Sequence, residues 1–268
     1  MNKCILLLLG TLSLILPGCD VWEDRGSCPS LLTVDCAKLE GKADRADIWI
    51  FRQEGSLESR ISVPRQEFGV MQKFPVRKGL YKCIVWTDIG LNSVTEDMSS
   101  LSGTIRKAAG EDADPMFSFC QDVDCTRDSA RAEVTPKKMF VNVTVTFKGL
   151  KDVDNVRLSL NSSWDGFVLG GNGIRQESSV ISEGKDTVVM RMLRPFSFDG
   201  WELKLTYLFS DGKTADSGFA LGKYLEENGY DLTEDMIRDV YITVDLSSLK
   251  TVIETEPWNE IPPVTINY

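Results

Sequence analysis

The chain has 268 residues, and its 40 acidic and 30 basic side chains give a formal charge of −10. Because the sequence also has no basic cluster that could bind phosphates, we predict that nucleic acid is not a partner. Charged residues make up 26% and hydrophobic residues 42%, which is the balance of a folded protein rather than a disordered one. The sequence contains no histidine, which excludes Ser-His-Asp catalysis, Cys-His catalysis and histidine-ligated zinc.

The amino terminus has the pattern of a bacterial export signal. Lys3 precedes an apolar run from Ile5 to Leu16, which is too short to cross the ~30 Å hydrocarbon core of a bilayer as a helix. We therefore predict a cleaved signal peptide over residues 1–18. The run ends in Leu-Pro-Gly-Cys, which resembles the lipobox of bacterial lipoproteins, so cleavage after Gly18 would leave Cys19 as the lipidated first residue. The alternative is an ordinary signal peptide that contains a cysteine.

Residues 19–27 are predicted to form a lipidated tether. Asp20, Glu23 and Asp24 follow the cysteine closely and resemble the surface-export signals of lipoproteins in the Bacteroidota, although a solvated tether gives the same pattern. No later segment approaches 18 consecutive apolar residues, so we expect the lipid alone to hold the protein to the outer membrane, exposed at the cell surface.

Short runs of alternating polarity predict β-strands almost throughout the rest of the chain. In the clearest run, MFVNVTVTF, one face is apolar and the other is mostly polar, as in a half-buried antiparallel strand. Asp211-Gly212 between two apolar runs predicts a hairpin. The predicted strands are Leu31–Cys36, Asp47–Arg52, Leu80–Thr87, Met139–Phe147, Val156–Leu160, Thr187–Leu193, Glu202–Phe209 and Val240–Leu246. Short helices are predicted at Leu221–Asn228 and Thr233–Arg238.

A polar stretch between about Asp122 and Lys138 is the predicted domain boundary, with Pro136 just before the clearest strand. We therefore predict an all-β protein with two tandem β-sandwich domains, over residues 28–134 and 135–268.

Five cysteines remain after the signal and the lipidation site, an odd number for an oxidising compartment. Cys36 and Cys83 lie in predicted strands, where burial is the ordinary explanation. Cys120 and Cys125 flank a predicted acidic loop and are the candidate disulfide, and pairing of either with Cys28 is the alternative. Two such thiols, without a second pair or a histidine, do not make a tetrahedral metal site.

The order of the motifs along the chain carries a family resemblance. A lipobox precedes Cys28-Pro29 and the strand LLTVDC, and then come DIWIFRQEG, KGLYKCIVWTDIG, KKMFVNVTVTFKGL and the closing VYITVDLSSLKTVIETEPWNEI. This order resembles the FimB-type family of fimbrial anchor lipoproteins of the Bacteroidota. The resemblance implies two transthyretin-like, Greek-key β-sandwich domains, no enzymatic activity and no cofactor. It also implies that the partners are fimbrial stalk subunits, and that the protein holds a type V fimbria to the outer membrane and limits its length.

The carboxyl-terminal segment IPPVTINY is the candidate partner-binding strand. Two prolines interrupt the chain, and Val264, Ile266 and Tyr268 then alternate with polar residues. The resemblance implies that a strand of one subunit completes the sheet of the next, so these three side chains are candidates to enter a groove on the first stalk subunit. The alternative is that this segment is the last strand of its own domain.

Glycan binding by a surface lipoprotein is the alternative function. Trp49, Trp86 and Trp201 lie in apolar runs and are expected to fill cores. Trp164 lies in the predicted loop SSWDGF and is the best candidate for an exposed ring that stacks on a sugar. The sequence contains no P-loop and no dinucleotide-binding motif, and nothing in it indicates an enzyme.

Overall fold

The computed structural model describes residues 28–245, 250–255 and 264–267. The predicted signal peptide, its cleavage site at Gly18 and Cys19, and Tyr268 lie outside the described residues.

Strands are the dominant regular structure in the described residues, and the predicted all-β sandwich fold is confirmed. One α-helix, α1 (Leu221–Glu227), and two short 3₁₀ helices (Ala37–Leu39 and Arg65–Glu67) accompany them. The strands are β1 (Ser30–Asp35), β2 (Arg45–Arg52), β3 (Leu57–Pro64), β4 (Gln72–Val76), β5 (Leu80–Thr87), β6 (Ser93–Glu96), β7 (Thr104–Lys107), β8 (Phe117–Asp124), β9 (Ser129–Glu133), β10 (Lys137–Lys138), β11 (Phe140–Lys148), β12 (Val153–Val168), β13 (Gly173–Gly184), β14 (Thr187–Leu193), β15 (Glu202–Phe209), β16 (Thr214–Phe219), β17 (Val240–Asp245), β18 (Lys250–Thr255) and β19 (Val264–Asn267).

The first half of the chain forms two sheets, with strand orders β4-β1-β9 and β10-β8-β5-β2-β3. Strand β1 is antiparallel to β4 and parallel to β9. Alternate residues face the space between the two sheets, and Leu32, Val34, Ile48, Ile50 and Cys83 are fully buried there. The alternation along each strand thus produces the first core.

The second half forms a sandwich of two larger sheets. Their strand orders are β14-β11-β17-β18-β19 and β16-β15-β12-β7-β6, with β13 also paired to β12. Val143 and Val145 of β11 pack with Leu158 and Leu160 of β12 and with Trp201 in the second core. The predicted hairpin at Asp211-Gly212 is confirmed, because it joins β15 to β16 in antiparallel register.

The two halves share a third buried cluster. Trp49 and Trp86 come from the outer face of the first half, and Phe167 and Leu193 come from the second. The Trp86 indole Nε1 donates a hydrogen bond to the Leu169 carbonyl at 2.8 Å. The cluster therefore joins residues that are more than 80 positions apart in the sequence.

A hairpin from the first half also belongs to a sheet of the second half. Strands β6 and β7 pair with each other, and β7 pairs with β12 through Ile105 opposite Phe167. The polar stretch predicted to hold the domain boundary contains β9, which pairs in parallel with β1. The β7–β12 pairing therefore links the two halves, whereas the β9–β1 pairing places the polar stretch in a sheet of the first half.

Besides the loop expected at Trp164, two sequence-based assignments of local structure are wrong. The predicted acidic loop FCQDVDCT lies mostly in β8, where Lys82 neutralises Asp122 across the sheet with Nζ to Oδ1 at 2.6 Å, and Val123 packs into the first core. The predicted helix Thr233–Arg238 is irregular chain with a bend at Thr233 and one turn at Asp235-Met236. Its carbonyls bond to the buried Arg194 guanidinium instead of to later N–H groups in the same segment.

Candidate subunit-binding edge

The carboxyl-terminal strand β19 lies at one edge of the second sandwich. It is antiparallel to β18, with Val264 opposite Ile253 and Asn267 opposite Lys250. Strand β18 is in turn antiparallel to β17, which lies beside β11. The candidate partner-binding strand therefore pairs within the second sandwich of its own chain.

The inner strand of this edge, β17, is fixed by burial. Val240, Ile242 and Val244 alternate with half-buried residues and are at most 1% exposed in the second core. Parallel pairing to β11, with Val240 opposite Val143, places these three side chains in the middle of the sheet. The period-two pattern VYITVD is the local reason for this arrangement.

A polar network locks the start of β17 to β11. The Asp239 carboxylate accepts hydrogen bonds from Lys138 Nζ at 2.6 Å, from the Asn142 backbone N–H at 2.9 Å and from Asn142 Nδ2 at 3.0 Å. Only 11% of the Lys138 side chain is exposed, so this ion pair is shielded from water.

Strand β19 is held far less firmly. It pairs over four residues, and in the described part of the chain it has a neighbour on one side only. A strand at the edge of a sheet presents a row of unpaired N–H and C=O groups, which is a template for another chain. A short edge strand also has few backbone hydrogen bonds to lose when it leaves. The geometry thus permits either strand addition at this edge or release of β19.

Two of the three predicted partner-binding residues can be placed. Val264 and Ile266 both lie in β19. Tyr268 is outside the described residues.

The comparison with protein families identifies the chain's relatives. Residues 35–261 match the profile of the fimbrillin-A associated anchor proteins Mfa1 and Mfa2. The chain belongs to this family. Membership assigns it a fimbria-associated role at the cell envelope, and the match ends just before β19. No curated protein sequence matches the chain.

Solved structures with a similar fold include proteins from Porphyromonas and Bacteroides species. The fimbrial anchor protein Mfa2 from Porphyromonas gingivalis has a TM-score of 0.62 at 15% identity, and the match covers 86% of this chain and 98% of that one. A candidate polysaccharide-binding protein from Bacteroides thetaiotaomicron gives 0.66 at 12% identity, with 88% and 98% covered. A candidate adhesin from the same species gives 0.60 at 13% identity, with 90% and 98% covered. At these identities the likeness shows the shared fold.

The five cysteines in the described part of this anchor-family chain are free thiols, and the candidate disulfide between Cys120 and Cys125 is not formed. Cys120 is exposed in β8, whereas Cys125 is buried in the first core. An odd number of positions separates them along an extended chain, so they lie on opposite faces of the sheet. Burial raises the pKa of Cys36 to about 12, which keeps this thiol protonated and unreactive at neutral pH.

The four tryptophans that the structure describes do not form a surface platform. Trp49, Trp86 and Trp201 are at most 1% exposed, as expected from their apolar strands. Trp164 lies within β12 rather than in a loop, and its half-buried ring packs against Phe196 with 5.2 Å between the ring centroids. The expectation of an exposed Trp164 loop is therefore wrong.

Sequence reasoning missed the strand that holds β19. Residues Lys250–Thr255 form β18, but their order, KTVIET, places two apolar residues side by side and so lacks a clean alternation. The Asp239 network was also missed, since its members are about 100 positions apart and no local pattern links them.

None of the helices within residues 28–245 is long and apolar enough to cross a membrane.

Proposed function

We propose that this protein anchors a type V fimbria to the outer membrane: a lipid on Cys19 holds the chain, and its carboxyl-terminal strand completes the sheet of the first stalk subunit. A terminal subunit tied to the membrane would end the fibre, so the amount of this protein would limit fibre length. Family membership supports the anchoring role.

The observation that carries the strand proposal is the position of β19. Among the described strands it is the outermost in its sheet, it pairs over four residues, and it follows Pro262-Pro263 in the sequence. Release of β19 would free its backbone groups to pair with another subunit, and β18 would become the new edge. Strands β17 and β11 would keep their buried contacts in the second core.

The lipid part of the proposal rests on the amino-terminal sequence. The tetrapeptide that ends at Cys19 has the lipobox pattern, and the apolar run before it is too short to span a bilayer. One acyl chain binds a protein to a membrane only marginally, whereas two acyl chains give stable binding. A diacylated Cys19 would therefore hold the protein firmly to the membrane.

A disulfide lock across the edge tests whether β19 is donated. Val252 and Thr265 are directly opposite each other in the register of β18 and β19, so cysteines at both positions can bridge the strands. A bacterial strain would produce the full-length chain with both Val252→Cys and Thr265→Cys. The measurement is how much fimbrial subunit co-purifies with this protein. We expect the oxidised lock to abolish capture and a reductant to restore it.

The single variants Val252→Cys and Thr265→Cys are matched controls, and each should capture the subunit normally. Formation of the bridge is checked by mass spectrometry without reductant. If the bridged protein captures the subunit as well as the single variants do, β19 stays in its own sheet and strand donation is refuted.

A further inference from the structure

Two asparagines of this chain are followed directly by glycine, at Asn172-Gly173 and at Asn228-Gly229. In such a pair the backbone nitrogen of the glycine can attack the Cγ atom of the asparagine, because glycine has no side chain to hinder the approach. The reaction converts the side-chain amide to a carboxylic acid and needs no enzyme. The two pairs have the same sequence, but their structural surroundings differ.

At Asn228-Gly229, hydrogen bonds hold both of the reacting groups. Asn228 follows the last residue of α1, and its Nδ2 donates to the Tyr224 carbonyl at 2.8 Å. The Gly229 backbone N–H, which contains the attacking nitrogen, donates to the Glu226 carbonyl at 3.1 Å. The end of the helix must therefore open before the nitrogen can reach the Asn228 side chain.

The Asn172 amide has no such restraint. Asn172 is exposed in the turn between β12 and β13, and its side chain makes no hydrogen bond to the residues that the structure describes. Its Cγ atom is therefore accessible, and its Nδ2 can leave without breaking a contact within the protein.

The register of the two strands also leaves the Gly173 nitrogen free. The Val168 backbone N–H donates to the Asn172 carbonyl at 2.7 Å, so these two residues form a hydrogen-bonded pair. Hydrogen-bonded and non-hydrogen-bonded pairs alternate along an antiparallel ladder, so the next pair, Phe167 and Gly173, is not hydrogen-bonded. The Gly173 N–H therefore points away from β12, and no described strand pairs with that side of β13.

We propose that Asn172 deamidates spontaneously in the folded protein, whereas Asn228 remains an amide. The Gly173 nitrogen bonds to Asn172 Cγ and gives up its proton, while the Cγ–Nδ2 bond breaks and Nδ2 leaves with that proton as ammonia. Water then opens the resulting succinimide ring at either carbonyl, which leaves an aspartyl or an isoaspartyl residue at position 172. The two steps together exchange ammonia for water and need no oxidant or metal.

The reaction changes the junction of the two halves. Asn172 lines a cavity of about 390 Å³ there, together with Lys137 and Asp235. The product places a new negative charge in this cavity, and the isoaspartyl form also adds one methylene group to the backbone of the turn. The site is independent of strand donation, because β19 and β13 belong to different sheets.

Peptide mapping by mass spectrometry tests the proposal. The purified full chain is incubated in mildly alkaline buffer, and samples are digested in heavy-oxygen water, so that any deamidation during digestion carries a label. Electron-transfer fragmentation distinguishes isoaspartyl from aspartyl peptides. We expect Asn172 to convert roughly tenfold faster than Asn228 or more, because two hydrogen bonds must open before Asn228 can react.

The same chain in urea is the matched control. Both Asn-Gly pairs are then exposed and should convert at similar rates, which assigns the difference to the fold. Asn172→Gln keeps an amide but requires a larger ring for the same attack, so this variant should show no conversion at position 172. The proposal is overturned if Asn172 remains an amide in the folded protein, or if Asn228 converts there as fast as Asn172.

Discussion

Arg194 organises the loop before β17 through its guanidinium. The residue is 1% exposed and donates to the carbonyls of Lys138, Leu232, Glu234 and Asp235. These bonds replace the intrahelical bonds expected for residues 233–238, and so one distant side chain overrides the local helical pattern. The sequence offers no local sign of this, because Arg194 is about 40 positions away.

Replacing Arg194 should therefore destabilise the second half strongly. Arg194→Met keeps much of the volume but removes every donor, and we expect the free energy of unfolding to fall by roughly 3–5 kcal/mol. Urea titration of the purified protein measures this loss. Arg175→Met, at an exposed ion pair with Asp199, should change it by less than about 0.5 kcal/mol. Equal effects of the two substitutions would refute the role of Arg194.

The Asp35 carboxylate makes the stability of the first half depend on pH in the acidic range. Its pKa is held below the ordinary value, first by the hydrogen bond from the Ala37 backbone N–H and then by Arg131. Because the folded pKa lies below the unfolded value of about 3.9, the stabilisation is complete above that pH and is lost as the pH falls through the folded pKa. Asp35→Asn should be less stable than the parent at pH 7, with the difference vanishing under strongly acidic conditions. A difference that stays constant from pH 7 to pH 2 would contradict this.

At the scale of elements, close packing at Gly166 joins the β6–β7 hairpin to the second sandwich. A Cβ at this position would lie 2.5 Å from the Ile105 carbonyl oxygen across the β7–β12 pair. Gly166→Ala should therefore weaken this pairing and expose residues 93–107 to proteolysis. In Gly218→Ala the new Cβ has nothing within 4 Å, so this strand glycine is the matched control. Equal rates of cleavage in the two variants would show that the contact at Gly166 does not hold the hairpin.

The elements that the sequence predicted well are strands with one buried face. Leu80–Thr87, Thr187–Leu193 and Glu202–Phe209 coincide with β5, β14 and β15 because their apolar residues are continuous or alternate cleanly. Of β12, only Val156–Leu160 was predicted as a strand. Farther along, register shifts near Trp164 break the alternation of apolar and polar residues.

The strands that the sequence missed lie mostly at exposed edges. Strands β6 and β16 have few buried residues, so their sequences carry little hydrophobic signal. At the candidate edge, the alternation of Val264 and Ile266 predicted a strand correctly, whereas its partner β18 was missed.

At the scale of the whole molecule, the shared cluster should make the two halves unfold together. Trp86 is fully buried at their junction and bonds to the Leu169 carbonyl, and Trp49, Phe167 and Leu193 pack in the same cluster. We expect calorimetry of the full chain to show one transition, and Trp86→Ala to lower the free energy of unfolding by roughly 3–5 kcal/mol. Two separate transitions in the parent protein would show that the halves are energetically independent.

The anchoring proposal joins the two ends of the chain, with a lipid at Cys19 on the membrane side and β19 on the fibre side. Neither end acts alone in this account, because an anchor must hold both the bilayer and the stalk. The most direct test therefore removes the lipid and follows the fibre.

The measurement is the partition of fimbrial subunit between washed cells and culture medium in a strain whose only copy of this protein carries Cys19→Ala. Cys28→Ala is the matched control, since Cys28 lies outside the lipobox and is exposed in the structure. If a lipid on Cys19 holds the protein, fibres shift to the medium with Cys19→Ala and stay on the cells with Cys28→Ala. Fibres that remain on the cells when Cys19 is absent would contradict lipid-held anchoring.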